Sequence, residues 1–246
     1  MKIAVISYSG NVGKTMIARH VLRPRLPGSH VISIESVNAS EEEDHVLRGR
    51  QFAELQEYLQ VVDNVIVDIG ASNIEELLGL MRRYRGSHED FDYFIVPTVP
   101  ARKQQQDTIS TLAELSRLGV PAEKVRIVFN MVEDPVETAR TFELLLSFLK
   151  EAPLAEHSLE CVLGVNEIYG RVNGMGADLA AVARDTTDYK SLIASATGSD
   201  ERMALAQRLA TRRLATGVVP EHDACFAALD LRATPAFTPG LKSAER

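Results

Sequence analysis

The sequence predicts an α/β protein: a doubly wound, mostly parallel sheet followed by a helical C-terminal region. Three observations lead there. Short apolar, β-branched runs recur across roughly the first 165 residues. Helical patterns alternate with them. From Gly176 onward only the helical pattern remains. Runs that are apolar on both faces suit a parallel sheet covered on both sides. Strand–helix alternation is how such a sheet is wound.

The expected strands are Ile3–Ser7, His30–Glu35, Asn64–Gly70, Asp92–Thr98, Val125–Asn130 and Leu159–Gly164. Between them, Lys14–Leu22 reads as a helix opening directly after a glycine loop. Glu41–Gln60 begins with acidic residues, which favour the positive end of a helix dipole. Asn73–Arg85 follows Ser72-Asn73, either of which suits a cap. Lys103–Leu118 and Pro135–Lys150 complete the set, with Pro135 as a first helical residue. Ala177–Asp185, Asp188–Ala196 and Asp200–Ala215 make up the late helical region. The expected organisation is one domain over 1–235, with a nucleotide-binding core over 1–165 and a helical part over 166–235. Residues 236–246 are Pro-containing and unpatterned, which predicts a mobile tail.

The bulk numbers bound the function. With 246 residues and 45% hydrophobic content, the chain is long enough for one sizeable core. The net charge of −7 does not point to DNA contact. Cys161 and Cys225 lie far apart in sequence and form no metal or redox spacing, so both read as buried and inert. No membrane span and no signal peptide are recognisable, so the expected setting is the cytoplasm. The acidic run Glu41 to Asp44 reads as a solvated helix start rather than a metal site.

The chemistry concentrates in "VISYSGNVGKTMIARH", Val5 to His20. A phosphate loop needs glycines so that backbone N–H groups can turn toward an anion. It needs a helix N-terminus after the loop, a lysine for the terminal phosphates and a hydroxyl for Mg²⁺. Gly10, Asn11, Val12, Gly13, Lys14 and Thr15 supply these, between a strand and a helix. Tyr8 stands where the usual loop has its first glycine. "NVIVDIGAS" ends a strand on Asp68, whose carboxylate would hold the water shell of a Mg²⁺ bound to Thr15. Gly70 would let the backbone swing toward a γ-phosphate. Asn130 ends a later strand at the same edge, where its amide suits a purine base. Glu133, three residues on, would suit guanine, so the sequence leaves the base open.

"SGNVGKT", "VDIGAS" and "FNMVE", in this order, resemble the deviant-Walker-A P-loop ATPases of the ParA/MinD superfamily. That family's loop reads Lys-Gly-Gly-x-Gly-Lys-Thr, which removes the need for glycine at Tyr8. "ISIESVNA" and "GVVPEHDACFAALDL" look closer still to the StbB/TraL plasmid stability and conjugation group. The resemblance implies a P-loop NTPase fold that binds ATP or ADP with Mg²⁺ through Gly10–Thr15, Asp68 and Asn130. Lys14 and Asp68 would be its catalytic residues, and Thr15 and Asp68 its metal residues. It further implies a switch or weak ATPase in plasmid stability, partition or conjugative transfer. The partners implied are a plasmid-encoded adaptor or DNA-binding protein and a nucleotide-dependent homodimer.

Two departures from the family matter. Its signature lysine, which crosses a nucleotide-sandwich dimer, falls at Ser9. Its second-strand acid pair falls at Glu35 and Val37, and valine cannot replace an acid. Nucleotide binding is therefore expected to survive better than hydrolysis. Arg102 and Lys103, after "PTVP", are the basic residues placed to substitute, against a reading as a solvated helix start. Arg208, Arg212 and Arg213 crowd one late helix; they read as a solvated helix face, with contact to DNA or an acidic partner as the alternative. The rival readings are a scaffold that holds nucleotide without turnover and a small-molecule kinase. No lid arginines favour the kinase. No Gly-x-Ser-x-Gly elbow favours a serine hydrolase, and the glycine spacing does not fit a dinucleotide site.

Overall fold

The computed structural model describes residues 1–34, 49–172 and 178–232. The six expected strands are all present: β1 (Lys2–Val5), β2 (His30–Ile34), β3 (Val65–Ile69), β4 (Tyr93–Thr98), β5 (Val125–Val132) and β6 (Val162–Gly164). They form one parallel sheet in the order β2-β3-β1-β4-β5-β6. Chain order reverses direction around β1, and that places a crevice beyond its carboxyl end.

The register aligns the functional edge. Val5 lies opposite Asp68 on one side and Ile95 on the other. Alternate residues of each strand face opposite sides of the sheet. Ala4 and Ile6 therefore enter one core layer and Ile3 and Val5 the other. The first layer is covered by α2 (Gly49–Val61), α3 (Ile74–Arg83), α4 (Arg102–Leu118) and α6 (Glu143–Glu151). The second is covered by the helix after the loop and by the C-terminal helix.

The helix after the loop is not uniform. It starts as α1 (Lys14–Met16), continues as wider π turns over Ile17–Leu22, and closes as 3₁₀ turns over Arg23–Arg25. Nothing in residues 17–22 announces the wider winding.

The run expected as one helix from Pro135 is broken. Pro135–Glu137 is a 3₁₀ turn whose cap Asp134 accepts from Val136 N at 3.0 Å. It leads into α5 (Thr138–Thr141) and then α6. Phe142 sits at the break, fully buried, with its ring 4.8 Å from that of Phe129. Its backbone keeps helical bonds on both sides: Phe142 N donates to Thr138 O at 3.0 Å, and Leu146 N donates to Phe142 O at 2.9 Å.

The late helices are α7 (Ile168–Val172), α8 (Leu179–Arg184), α9 (Tyr189–Ser195) and α10 (Ser199–Ala228). Asp178 and Asp188 cap α8 and α9, accepting from Ala180 N and Ser191 N. The helix expected over Asp200–Ala215 runs through Pro220 to Ala228 and packs back on the sheet. Arg126 Nε donates to Leu229 O at 2.8 Å and Arg232 N to Tyr93 Oη at 3.0 Å. Cys161 and Cys225, distant in sequence, meet at this contact with their sulfurs 3.5 Å apart, buried and unbridged.

Asn73 occupies the cap position of α3 without capping it. Its Nδ2 donates instead to Ile34 O at 3.1 Å. Glu35, Val37, the acidic run Glu41 to Asp44 and the expected tail 236–246 lie outside the described residues.

Candidate functional site

The loop between β1 and α1 turns on two left-handed residues, Asn11 at φ 56° and Gly13 at φ 88°. Asparagine tolerates that conformation better than most side chains. Gly13 has a second constraint, because a Cβ there would overlap Asn130 Nδ2. Val12 is fully buried and anchors the loop, while Gly10 is exposed.

The loop also leans on α4. Tyr8 N donates to Thr111 Oγ1 at 3.2 Å, and the Ser9 hydroxyl donates to the Asp107 carboxylate. Ser9 is thus buried against an acid.

Lys14 is buried, and its ammonium curls back onto the loop. It donates to Ser9 O at 2.7 Å and to Ser7 O at 3.3 Å. Burial pushes its pKa down, and the charge of Asp68 opposes that shift. One residue on, Thr15 Oγ1 donates to Asp68 Oδ2 at 2.6 Å. Asp68 is itself buried. The structure therefore brings together Lys14, Thr15 and Asp68 at the carboxyl edge of β1 and β3. Hydroxyl and carboxylate oxygens are the donor chemistry of Mg²⁺, which takes the rest of its shell from water and substrate phosphates. Among the described residues no cluster of three or more His, Cys, Asp or Glu side chains forms an all-protein cage.

Asn130 reaches the same place by another route. Its Nδ2 donates to Val12 O at 2.9 Å, so the amide expected on a base is joined to the loop. Gly70 N donates to Ile34 O at 2.9 Å, holding β2 rather than pointing to a phosphate. Glu133 is exposed beyond β5. Arg102 and Lys103 open α4 and are exposed. Arg212 is committed elsewhere: it donates to Asp185 O at 3.1 Å and Thr187 O at 2.6 Å, and lies over the Tyr189 ring. Arg208 and Arg213 remain exposed on α10.

A cavity of about 1200 Å³ begins at Asn11, Gly13, Lys14 and Thr15 and continues along the outer side of α1 and its π turns. Sequence reasoning missed the rest of its lining, which includes Arg19, His20, Arg23, Ser29, Met131 and Tyr169. The spacing of Arg19 and Arg23, one helical turn apart, was the available signal. Met131 carries a left-handed φ of 56°, which directs the chain just after Asn130. Tyr169 Oη lies 2.7 Å from Nε2 of the buried His222, and burial pushes the phenol pKa up.

No protein-family model matches the chain, and no curated protein does. Solved structures do. Apo McdA from Cyanothece aligns over 85% of this chain and 98% of its own, with a TM-score of 0.50 and 14% identity. The fold is the P-loop α/β fold. Weaker likenesses are a Cyanothece McdA variant in complex with ATP (TM-score 0.48, 12% identity, 88% and 96% covered) and pNOB8 ParA bound to nonspecific DNA (0.39, 11%, 90% and 98%). Among the described residues, no helix is long and apolar enough to cross a membrane.

Proposed function

We propose that this chain is a nucleotide-dependent switch of the ParA/MinD type, binding ATP or ADP with Mg²⁺ at the loop Gly10–Thr15. The observation that carries the reading is the convergence of Lys14, Thr15 and Asp68 at the carboxyl edge of a parallel sheet. The first N–H groups of a helix have no intrahelical acceptor, and with the loop amides they form an anion cradle.

In the proposed complex, Lys14 leaves the carbonyls of Ser7 and Ser9 for phosphate oxygens. Thr15 and Asp68 would be the residues that hold Mg²⁺, which would supply positive charge at the terminal phosphates. Asn130 holds the loop through Val12 and borders the base. The finer reading is a role in plasmid stability, partition or conjugative transfer, in the manner of the StbB/TraL group. A plasmid-encoded adaptor or DNA-binding protein would be the partner, and a nucleotide-dependent homodimer the working form. The setting would be cytoplasmic.

A second reading has its own support. Ser9 is buried against Asp107 and supplies no positive charge to a neighbouring active site. Charge of that kind is worth several powers of ten in phosphoryl transfer. A protein that holds nucleotide with slow or no turnover fits this feature. Titration with ATP, ADP and GTP plus Mg²⁺, with phosphate release followed on the same sample, separates the readings. Adenine-nucleotide binding with turnover raised by a partner supports the switch. Binding with no turnover under any condition supports the scaffold, and release accelerated by a small-molecule acceptor supports a kinase.

A further inference from the structure

Cys161 stands just before β6, and Cys225 lies in the last turn of α10. The packing of α10 on the sheet puts their sulfurs 3.5 Å apart, a van der Waals contact. Neither residue is more than 1% exposed, and Leu163 and Leu229 share their apolar cluster. Cys161 Sγ also donates to Cys225 O at 3.6 Å. A disulfide needs side chains that face each other with sulfurs about 2 Å apart. These two already face each other, so the bond needs only about 1.5 Å of further approach. The route in is the end of α10. Its last turn is held by Arg126 Nε, which donates to Leu229 O at 2.8 Å, and by Tyr93, whose hydroxyl accepts from Arg232 N at 3.0 Å. Helix ends open more readily than core strands. Opening that turn exposes Cys225 first, because Cys161 is held on the sheet by Phe129 N, which donates to its carbonyl at 3.0 Å. The contact with Cys225, and then burial, push the Cys161 thiol pKa well up. The closed pair is therefore protonated and unreactive.

We propose that Cys161 and Cys225 form a redox pair that a hydroperoxide converts to a disulfide, locking α10 on the sheet. In the opened turn the Cys225 thiolate attacks one oxygen of hydrogen peroxide. The O–O bond breaks, hydroxide leaves and takes up the thiol proton as water, and the sulfur becomes a sulfenic acid. On closing, Cys161 attacks that sulfur. The S–S bond forms, the S–O bond breaks, and the hydroxyl leaves with the Cys161 proton as a second water. The two thiols are oxidised and the peroxide is reduced. The bond spans 64 positions of chain, over which α7, α8 and α9 lie. Closing a loop of that length restricts the unfolded chain and stabilises the fold. The same stretch of α10 carries Val219 and Asp223, whose oxygens accept from Arg25 behind the loop helix. The lock therefore fixes that support as well.

The test treats the full chain with hydrogen peroxide, counts free thiols, maps peptides without reductant and follows thermal unfolding. Both thiols should disappear together, and a Cys161 peptide should be found joined to a Cys225 peptide of the same chain. Tm should rise by about 5–10 °C. Dithiothreitol should restore both the thiols and the original Tm. Cys161→Ala should leave Cys225 as a sulfenic acid that a 1,3-dione reagent traps, with no rise in Tm. The peptide map of the wild-type protein decides the question even where that variant does not fold. Met203, 61% exposed, gives an internal measure of dose, since peroxide converts exposed methionine to its sulfoxide. Both thiols still free once Met203 is oxidised overturns the proposal. So does loss of the thiols to sulfinic acid, or to bonds between chains, without the Cys161–Cys225 bond. A bond that forms without raising Tm overturns the lock.

Discussion

Asn130 Nδ2 donates to Val12 O at 2.9 Å across 118 residues of chain. The bond ties the end of β5 to the loop after β1, with Gly13 packed under the amide. Gly13→Ala must strain a left-handed backbone and displace Asn130 together. It should cost about 1–3 kcal/mol and abolish nucleotide binding. Urea unfolding and ATP titration of the same variant check both halves. Wild-type binding in a variant of wild-type stability would remove Gly13 from the loop account.

Ser9 and Asp107 make the second testable pair. Ser9→Lys alone places an ammonium beside the Asp107 carboxylate, which captures it. Phosphate release should stay at the wild-type rate. Adding Asp107→Ala frees the ammonium; under the proposed homodimer, release should rise about tenfold or more as positive charge reaches the phosphates. An equal rise in the single variant would show that Asp107 does not restrain this position.

His222 gives a pH dependence. It is fully buried beside Tyr169, and burial, with Arg25 and His20 adding positive charge nearby, lowers its pKa to about 4. The folded pKa lies below the unfolded value of about 6.5. The unfolded chain therefore binds more protons between those values, and stability rises with pH across that window. Stability is fully present above about pH 6.5 and is lost toward pH 4, by up to about 3 kcal/mol from this group. His222→Gln should flatten the acid limb in urea unfolding followed from pH 7.5 down to 4.5. An unchanged limb would assign the loss to other groups.

Most of this architecture was legible in the sequence because buried parallel strands must be apolar on both faces. Ile3–Ile6 and Val65–Ile69 have no other reasonable reading. The loop was legible because Gly13-Lys14-Thr15 and Asp68 are local patterns set at strand ends. What escaped were relations between distant residues. Ser9 with Asp107, Cys161 with Cys225 and Tyr169 with His222 are brought together by α4 and α10, and no spacing encodes them. Asn130 was expected at the right edge, but its bond to Val12 depends on packing. The break at Phe142 follows from its contact with Phe129, which propensity along the chain does not register.

Arg212 illustrates the same limit with a practical consequence. Read as a surface charge, it would suit DNA. In the structure it secures Asp185 O, Thr187 O and the Tyr189 ring. Arg212→Ala should therefore lower stability by about 2–3 kcal/mol and leave any DNA affinity to Arg208 and Arg213. Thermal or urea unfolding, paired with DNA titration of each variant, checks this. Lost DNA binding at unchanged stability would reverse the assignment.

The most direct measurement is calorimetric titration of the wild-type protein and Lys14→Ala with ATP and Mg²⁺, with circular dichroism on both. One saturable site in the wild type, none in Lys14→Ala, and matching spectra are the predicted result. Equal ATP affinity in the two proteins, or no nucleotide binding by the wild type, would contradict the account.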